Sequence, residues 1–313
     1  MDARERLREL SDLATPWAVW IATTLRLADH IHDGATTVDE LAVAAGAHAD
    51  ALRRLLTLLV TRGVFAESDG KYANTEVSAL LVGGGWQSWF DLDGAPGIWA
   101  ESWSRLLQAV RTGSPDRDEG WYYAELARTG SSEHFAALMA AQVRANAERL
   151  AEVFDWSGVG SVADIGGGTG TLVRTLLAAH PQLRGTLFDQ PQVVASVEPE
   201  DRLEIVAGDF LVDPLPPADV HVLSQILHGW ADDGAHLILR RCAEVADRIL
   251  LIEGVLPEQP SANEASFDLF MLTLGGGKQR TLADFGRLAS ACGLTLVDQK
   301  PLAGDTSVIE LER

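Results

Sequence analysis

The sequence predicts a helical, winged-helix-like N-terminal domain followed by an α/β part built on a mostly parallel sheet. From Gly160 onward, short apolar runs such as "SVADIGG" and "RILLIEGVL" alternate with helical segments, which is typical of a parallel sheet covered by helices. The last two apolar runs, "LTLVDQKPL" and "TSVIELER", are joined by a link too short for a helix, so we expect them to be antiparallel. We place the domains at residues 1–95 and 96–313.

The composition is acidic. Lys and Arg number 25 against 45 Asp and Glu, a formal net charge of -20, which argues against nucleic acid or an anionic membrane as a partner. No apolar run reaches the ~18 residues of a membrane span, and "MDARERLREL" lacks the apolar core of a signal peptide. The two cysteines, Cys242 and Cys292, have no metal-binding or redox spacing. We therefore expect a cytoplasmic protein with free thiols and no metal.

The N-terminal domain begins with apolar residues from Leu7 to Leu27, which predict one long helix with a wide apolar face. Thr37 and Glu40 then match a capping box, and a second helical run and an Asp69-Gly70 turn follow, an order that indicates a winged helix. DNA-binding domains are usually basic on one face. Here residues 31–80 hold four basic and seven acidic side chains, so we favour a packing or dimerisation role.

Aromatic residues are concentrated between Trp86 and Trp121, a stretch that contains five of the nine tryptophans and is followed by Tyr122 and Tyr123. Such a concentration indicates either a ligand pocket or the contact between helices, and the sequence leaves both open.

A glycine-rich turn follows the first predicted strand of the α/β part. In "ADIGGGTGTL", Asp164 precedes Gly166, Gly168 and Gly170, and glycines at such a turn let the backbone approach a ligand at a helix N-terminus. The next two strands end at Asp189 and at "GDF", which contains Asp209 and Phe210. Acidic residues at such strand ends can accept hydrogen bonds from ribose hydroxyls, so these residues predict a nucleotide-like ligand.

With these motifs in place, the chain resembles the class I S-adenosylmethionine (SAM)-dependent methyltransferases. More narrowly, it is similar to small-molecule O-methyltransferases of the caffeic acid and hydroxyindole type, including bacterial members that tailor natural products. The resemblance covers nearly the whole chain, through "DIGGGTG", "FDQP", "GDF", "LHGW", "IEGVLP" and "GGGKQRT" in that order. It implies a Rossmann-like domain, SAM as cofactor, an aromatic small-molecule acceptor and a homodimer formed through the N-terminal domain.

The resemblance also implies the cofactor-binding residues. Gly166, Gly168 and Asp189 would hold the methionine and ribose parts of SAM, while Asp209, Phe210 and Trp230 would surround the adenine. We add Asp164, and also Ser224, which stands where relatives often have a lysine. Trp230 has an alternative role as a core residue at the start of a helix.

His228 is the predicted general base. A phenolic hydroxyl has a pKa near 10, and an imidazole, with an ordinary pKa of about 6.5, is suited to remove its proton. By resemblance, His228 occupies the place of the family's base, and Glu253 is the first of two acids beside it. Gln279 replaces the second acid, and Gly229 replaces an aspartate. An amide holds an imidazole by hydrogen bonding without a charge, so we expect weaker support for the protonated imidazole.

The acceptor pocket is predicted from two helical segments, "SEHFAALMAAQ" and "SFDLFMLTLGG". The candidate substrate-binding residues are Phe135, Met139, Phe270, Met271 and Leu274. At helical spacing these residues suit a protein core equally well.

The sequence therefore predicts an O-methyltransferase acting on an aromatic or polyketide-like small molecule in secondary metabolism. Two alternatives stay open. The first is a SAM-binding enzyme that methylates nitrogen or carbon, or catalyses decarboxylation, hydroxylation or cyclisation, and the replacement of an acid by Gln279 motivates it. The second is a winged-helix regulator with a ligand-sensing domain, which the acidic N-terminal domain opposes.

Overall fold

The computed structural model describes residues 2–117 and 120–313. The chain divides between Glu101 and Ser102 into two compact units, which are described separately. The N-terminal elements are α1 (Ala3–Leu10), α2 (Ala14–Thr24), α3 (Leu27–His32), α4 (Val38–Ala44), α5 (Ala49–Thr61), β1 (Phe65–Ser68), β2 (Lys71–Asn74), α6 (Glu76–Ala79), a 3₁₀ helix (Gly85–Trp89) and α7 (Ala95–Ser102), which ends at the boundary.

The single long helix predicted from Leu7 to Leu27 is wrong, because the structure divides this stretch into α1, α2 and α3. The side chain of Asp12 accepts hydrogen bonds from the backbone N–H groups of Ala14 (2.9 Å) and Thr15 (3.2 Å). A side chain that satisfies the free N–H groups of a first turn begins a new helix. Local hydrogen bonding thus overrides a continuous apolar pattern.

The rest of the N-terminal unit follows the predicted order of helices and hairpin. The capping box of Thr37 and Glu40 at the start of α4 is confirmed. β1 and β2 form an antiparallel hairpin, and Asp69 (φ 52°) and Gly70 (φ 74°) both take the left-handed conformation that a tight hairpin turn requires.

The second unit contains one seven-stranded sheet. Its strands are β3 (Ser161–Ile165), β4 (Arg184–Asp189), β5 (Leu203–Ala207), β6 (Val220–Ser224), β7 (Arg248–Gly254), β8 (Thr295–Pro301) and β9 (Thr306–Glu312), in the spatial order β5-β4-β3-β6-β7-β9-β8. β3 to β7 are parallel, and β9 runs antiparallel between β7 and β8, which confirms the predicted C-terminal hairpin.

Helices cover both faces of this sheet. The helices of this unit are α8 (Leu106–Thr112), α9 (Trp121–Thr129), α10 (Ser132–Val153), α11 (Thr171–Ala179), α12 (Pro191–Val194), α13 (Asp232–Val245), α14 (Ala262–Gly275) and α15 (Leu282–Ala291), with 3₁₀ helices at Trp103–Arg105 and Leu227–Gly229. In β7, Ile249 and Leu251 belong to a core with α13 and α15, while Leu250 and Ile252 belong to a core with α10 and α11. This alternation fixes which face of each strand is buried against which helices.

The carboxyl ends of β3 to β7 lie along one edge of the sheet because these strands are parallel. Ligands of open α/β sheets bind at such an edge. In the part of the chain that the structure describes, no helix combines the length and apolar character needed to cross a membrane.

Candidate active site

The glycine-rich loop connects β3 to α11, and its shape depends on glycine. Gly166, Gly168 and Gly170 have φ angles of 72°, 61° and 79°, which disfavour any other residue. The N–H of Gly166 donates to the carbonyl of Phe188 on β4 (2.8 Å). A Cβ at Gly168 would contact nothing within 4 Å, so the space in front of the loop is open.

Asp164 lies beneath this loop rather than at its surface. Its side chain is fully buried, and Oδ2 accepts the N–H of Val173 in the first turn of α11 (3.3 Å), whereas Oδ1 has no partner within residues 2–117 and 120–313. Burial raises the pKa of Asp164 to about 7. A Cβ at Gly167 would lie 2.5 Å from Cγ of Asp164, so the loop packs directly on this carboxyl group. The glycine spacing does not distinguish Gly167, whose φ lies outside the left-handed region, so only this close contact shows its importance.

Asp189, at the end of β4, ties the loop to the neighbouring strand. Its Oδ2 accepts the N–H of Gly168 and its Oδ1 accepts the N–H of Gln190, both at 2.7 Å. Burial raises the pKa of Asp189 above its ordinary value.

Phe210 and Trp230 are brought together from loops that follow β5 and β6, with ring centroids 5.7 Å apart in an edge-to-face arrangement. Arg241 on α13 donates to the carbonyl of Phe210 (2.8 Å), which holds the "GDF" segment in place. The Oδ1 atom of Asp209 accepts the N–H of Leu211 (2.8 Å). Trp230 is only 6% exposed and belongs to the core around α13, which is its alternative role, and the partly buried Phe210 packs against that core.

His228 lies in the 3₁₀ helix after β6, and Glu253 lies near the end of the adjacent strand β7. The Nδ1 atom of His228 is 3.5 Å from Oε2 of Glu253. The other carboxylate oxygen, Oε1, accepts the N–H groups of Ile226 (3.0 Å) and Leu227 (2.7 Å). Glu253 thus holds the backbone of the His228 loop with one oxygen and faces the imidazole with the other.

Burial favours the neutral forms of both His228 and Glu253. Burial and, to a smaller extent, the charge of Arg280 lower the pKa of His228 to about 4. Burial also raises the pKa of Glu253 to about 7, although the N–H of Leu227 and the charge of Arg280 oppose this. At neutral pH the imidazole is therefore uncharged and able to accept a proton.

Ser224 and Gln279 lie near the same strand ends. Ser224 is the last residue of β6, and its buried Oγ has no hydrogen-bond partner in the described part of the chain. The Oε1 atom of Gln279 would lie 3.1 Å from a Cβ at Gly254, and its buried Nε2 likewise has no partner among the described residues. The backbone N–H of Gln279 donates to Oδ1 of Asp268 on α14 (2.8 Å). The side chain of Gln279 therefore lies beside Gly254, next in sequence to Glu253.

Aromatic side chains extend away from His228 along α14. The ring of Phe267 is 5.9 Å from the imidazole, Phe270 is 6.1 Å from Phe267, and Trp103 stacks on Phe270 at 6.0 Å. Phe267 is 40% exposed, which leaves an apolar surface beside the imidazole. Phe267 was not among the predicted residues, although it is one helical turn from Phe270.

A second aromatic group lies on α9 and α10. Phe135 packs edge-on against Tyr122 and Tyr123, with centroids 5.4 Å and 6.5 Å away. Burial and the charges of Asp189 and Glu253 raise the pKa of Tyr123 to about 12. Tyr123 is 42% exposed, and its hydroxyl stays protonated at neutral pH.

The remaining candidate pocket residues are less exposed. Met271 and Leu274 on α14 are buried, and Met139 on α10 is partly buried. Within residues 2–117 and 120–313, no group of three or more His, Cys, Asp or Glu side chains is arranged to hold a metal ion.

Comparisons with known proteins agree on one family. Residues 103–295 match the family model of the O-methyltransferase domain, and residues 9–84 match that of the O-methyltransferase dimerisation domain.

Individual relatives cover nearly the full chain. A 2,7-dihydroxy-5-methyl-1-naphthoate 7-O-methyltransferase of Streptomyces carzinostaticus is 39% identical over 97% of this chain and 96% of its own. A mitomycin biosynthesis 6-O-methyltransferase of Streptomyces lavendulae is 34% identical, over 95% and 90% of the two chains. A crystal structure of an O-methyltransferase from neocarzinostatin biosynthesis, in complex with SAM and 2-hydroxy-5-methyl naphthoic acid, has 37% identity and a TM-score of 0.88, and the match covers 98% of each chain.

Proposed function

The chain belongs to the O-methyltransferase family and carries that family's dimerisation domain, and we propose that it uses His228 as general base to methylate a hydroxyl group of a fused-ring aromatic acceptor. It is a SAM-dependent enzyme, whose product from the cofactor is S-adenosylhomocysteine. Bound SAM supplies a methyl group on a positively charged sulfur, ready for transfer to a nucleophilic oxygen. The observation that carries the proposal is the 3.5 Å approach of His228 to Glu253 beside an exposed aromatic surface.

The glycine-rich loop fits SAM. The open space in front of Gly168 and the unpartnered Oγ of Ser224 leave room and hydrogen-bonding capacity at the strand ends. Gly166, Gly168 and Asp189 would hold the methionine and ribose parts, and Asp209, Phe210 and Trp230 would surround the adenine. Asp164 would support the loop from below through its contact with Gly167.

The proposed chemistry requires His228 to take the acceptor's proton as the methyl group is transferred. Glu253 faces Nδ1, so the favoured tautomer carries its proton there and leaves the lone pair of Nε2 free to act as the base. As the imidazole gains a proton, the nearby carboxylate of Glu253 stabilises the new charge. Gln279 contributes an amide near this strand end and adds no charge.

The acceptor is proposed to lie against Phe267 and Phe270, which present apolar rings next to His228. Stacking on these rings would hold a planar acceptor with its hydroxyl toward Nε2, and orientation alone contributes ~7–11 kcal/mol to such reactions. Phe135, together with Tyr123, would bound the opposite side, and Met139, Met271 and Leu274 would fill space behind the rings. The naphthoate acceptors of the relatives support a fused-ring substrate.

A panel of acceptors tests the substrate class. Purified protein with isotope-labelled SAM is offered hydroxynaphthoates, a hydroxyphenazine and single-ring catechols, and products are identified by mass spectrometry. We expect methylated fused-ring products with one S-adenosylhomocysteine per product. A preference for single-ring acceptors would contradict the substrate class, and product formed without S-adenosylhomocysteine would indicate non-methylating chemistry.

His228→Ala tests the base. We expect kcat to fall by ~100-fold to ~10,000-fold, the usual contribution of a general base, while the Kd for SAM changes little. His236→Ala is the matched control, since this partly buried histidine on α13 contacts a backbone carbonyl of Ala291. Equal kcat values for His228→Ala and His236→Ala would contradict the proposal that His228 is the general base.

The proposal also includes the assembly and its setting. Leu7, Leu10, Leu13, Trp17 and Ile21 are exposed apolar residues of the matched dimerisation domain or just before it, which supports a homodimer through this region. We propose a role in secondary metabolism, as in the antibiotic-producing relatives, and a cytoplasmic location, since Cys242 and Cys292 are both free thiols.

A further inference from the structure

Among the residues that the structure describes, Arg280 has the largest fully buried side chain, and its guanidinium group is directed at the loop that carries His228. Nη1 donates to the carbonyl of Leu227 (2.6 Å), and Nη2 donates to the carbonyl of Trp230 (3.0 Å). These two carbonyls lie on either side of His228. One planar group therefore fixes both ends of the short segment that holds the proposed base.

Asp232 completes the arrangement from the protein surface. Its Oδ1 accepts a hydrogen bond from Nη2 of Arg280 (2.9 Å), and its Oδ2 accepts one from Nζ of Lys278 (3.1 Å). Asp232 is the first residue of α13, so the buried cation is paired with a carboxylate fixed at a helix start. A buried charge is tolerated when it is paired and hydrogen-bonded in this way.

The backbone around Arg280 contacts the same loop. The N–H of Lys278 donates to the carbonyl of His228 (2.9 Å). A Cβ at Gly277 would lie 2.3 Å from that carbonyl oxygen, so glycine is required for this close approach. Residues 277–280 thus hold residues 227–232 through both backbone and side-chain hydrogen bonds.

We infer that Arg280 is a positioning residue, which holds the His228 loop so that Nε2 faces the acceptor hydroxyl. The inference rests on the proposed role of His228 as base. A lysine would keep the charge but lacks the planar fork that reaches two carbonyls at once. Because Gln279 brings no negative charge, rigid placement by Arg280 is the stronger contribution of the "GGGKQRT" segment to His228.

The test is a double-mutant cycle between Arg280→Lys and His228→Ala, measured at saturating labelled SAM and acceptor. Arg280→Lys is expected to lower kcat by about 10-fold to 100-fold when His228 is present, because small misplacements of a catalytic group have effects of this size. In the His228→Ala background, the same change is expected to lower kcat by less than about twofold, since the group being positioned is gone. The Kd for SAM is expected to stay within about threefold in all variants.

Arg202→Lys is the matched control. The Arg202 guanidinium also holds a set of backbone carbonyls, but far from His228 in sequence, before β5. We expect its kcat to be unchanged in both backgrounds. This control shows whether the fall in kcat is specific to Arg280 or follows from replacing any arginine that binds backbone carbonyls.

The failure of the base proposal and the failure of the positioning proposal give different results. If His228→Ala keeps its rate, the base proposal fails. If His228→Ala is slow but Arg280→Lys is as fast as the unaltered protein, or slows both backgrounds equally, the positioning role is overturned. Should Arg280→Lys not fold, Asp232→Ala loosens the same guanidinium from the exposed side. It is expected to lower kcat about threefold only where His228 is present, and equal losses in both backgrounds would overturn the inference.

Discussion

The Nδ1 atom of His228 lies 3.5 Å from Oε2 of Glu253, and neither atom is hydrogen-bonded to any other residue that the structure describes. The opposite oxygen of Glu253 is fixed by the N–H groups of Ile226 and Leu227. The carboxylate therefore cannot turn away from the imidazole without losing two backbone hydrogen bonds. This relationship sets both the tautomer and the pH behaviour expected of the site.

The first prediction concerns pH. Protonation inactivates a base, and burial lowers the pKa of His228 from 6.5 to about 4, so the inactivating protonation is displaced to lower pH. We expect protonation of His228 itself to lower kcat/KM only below about pH 5. Burial raises the pKa of Glu253 to about 7, so a shallower decline between pH 7 and 5, as this carboxylate loses its charge, is expected in addition and is absent from Glu253→Gln. Initial rates of both proteins across this range provide the measurement, with SAM binding followed in parallel. A decline centred near pH 6.5 that persists in Glu253→Gln would contradict the buried, neutral imidazole.

The second prediction concerns Gln279. Gln279→Glu adds a carboxylate near the end of β7, and negative charge favours the protonated imidazole. We expect the acidic decline of kcat/KM to move to higher pH and kcat to rise by less than about tenfold. The added buried charge, close to Asp268 and Glu253, is expected to lower the free energy of unfolding by about 1–3 kcal/mol.

Gln279→Met is the control for this change, because it removes the amide and adds no charge. Its pH profile is expected to match that of the unaltered protein. An unchanged profile in Gln279→Glu would show that residue 279 has no electrostatic influence on His228.

The third prediction concerns the glycine-rich loop. In Gly167→Ala, the new Cβ would lie 2.5 Å from Cγ of Asp164 and 2.6 Å from Cδ1 of Leu187, so the loop must shift. We expect SAM to bind at least about tenfold more weakly and the free energy of unfolding to fall by about 1–3 kcal/mol, the usual cost of overpacking. Calorimetry and denaturant unfolding measure the two effects. Gly158→Ala is the control, since a Cβ there meets nothing within 4 Å.

The fourth prediction concerns the acceptor. Phe267→Ala removes the ring beside His228, and we expect the acceptor KM to rise by about 10-fold, because a fully buried aromatic contact contributes about 1.5–3 kcal/mol. The KM for SAM is expected to change little. Leu269→Ala is a matched control, because Leu269 lies on the same helix and is 40% exposed, as Phe267 is. Equal effects of the two substitutions would contradict an acceptor site at Phe267.

Much of the fold could be predicted because it depends on short-range rules. Strand and helix periods, the Thr37–Glu40 capping box and the Asp69-Gly70 turn involve residues a few positions apart, and each is present in the structure. The long N-terminal helix was predicted wrongly because hydrophobic periodicity carries no information about the side-chain hydrogen bonds with which Asp12 begins α2.

The sequence by itself determined the order of strands and helices, the closing antiparallel hairpin and the glycine-rich turn, because backbone preferences and periodic burial act locally. Only the tertiary structure decided that Glu253 faces His228, that Arg280 binds the carbonyls of Leu227 and Trp230, and that Phe267 borders the imidazole. These groups are tens of residues apart along the chain. They meet because β6 and β7 are neighbours in the sheet and because the buried guanidinium of Arg280 needs hydrogen-bond acceptors, which the loop after β6 supplies.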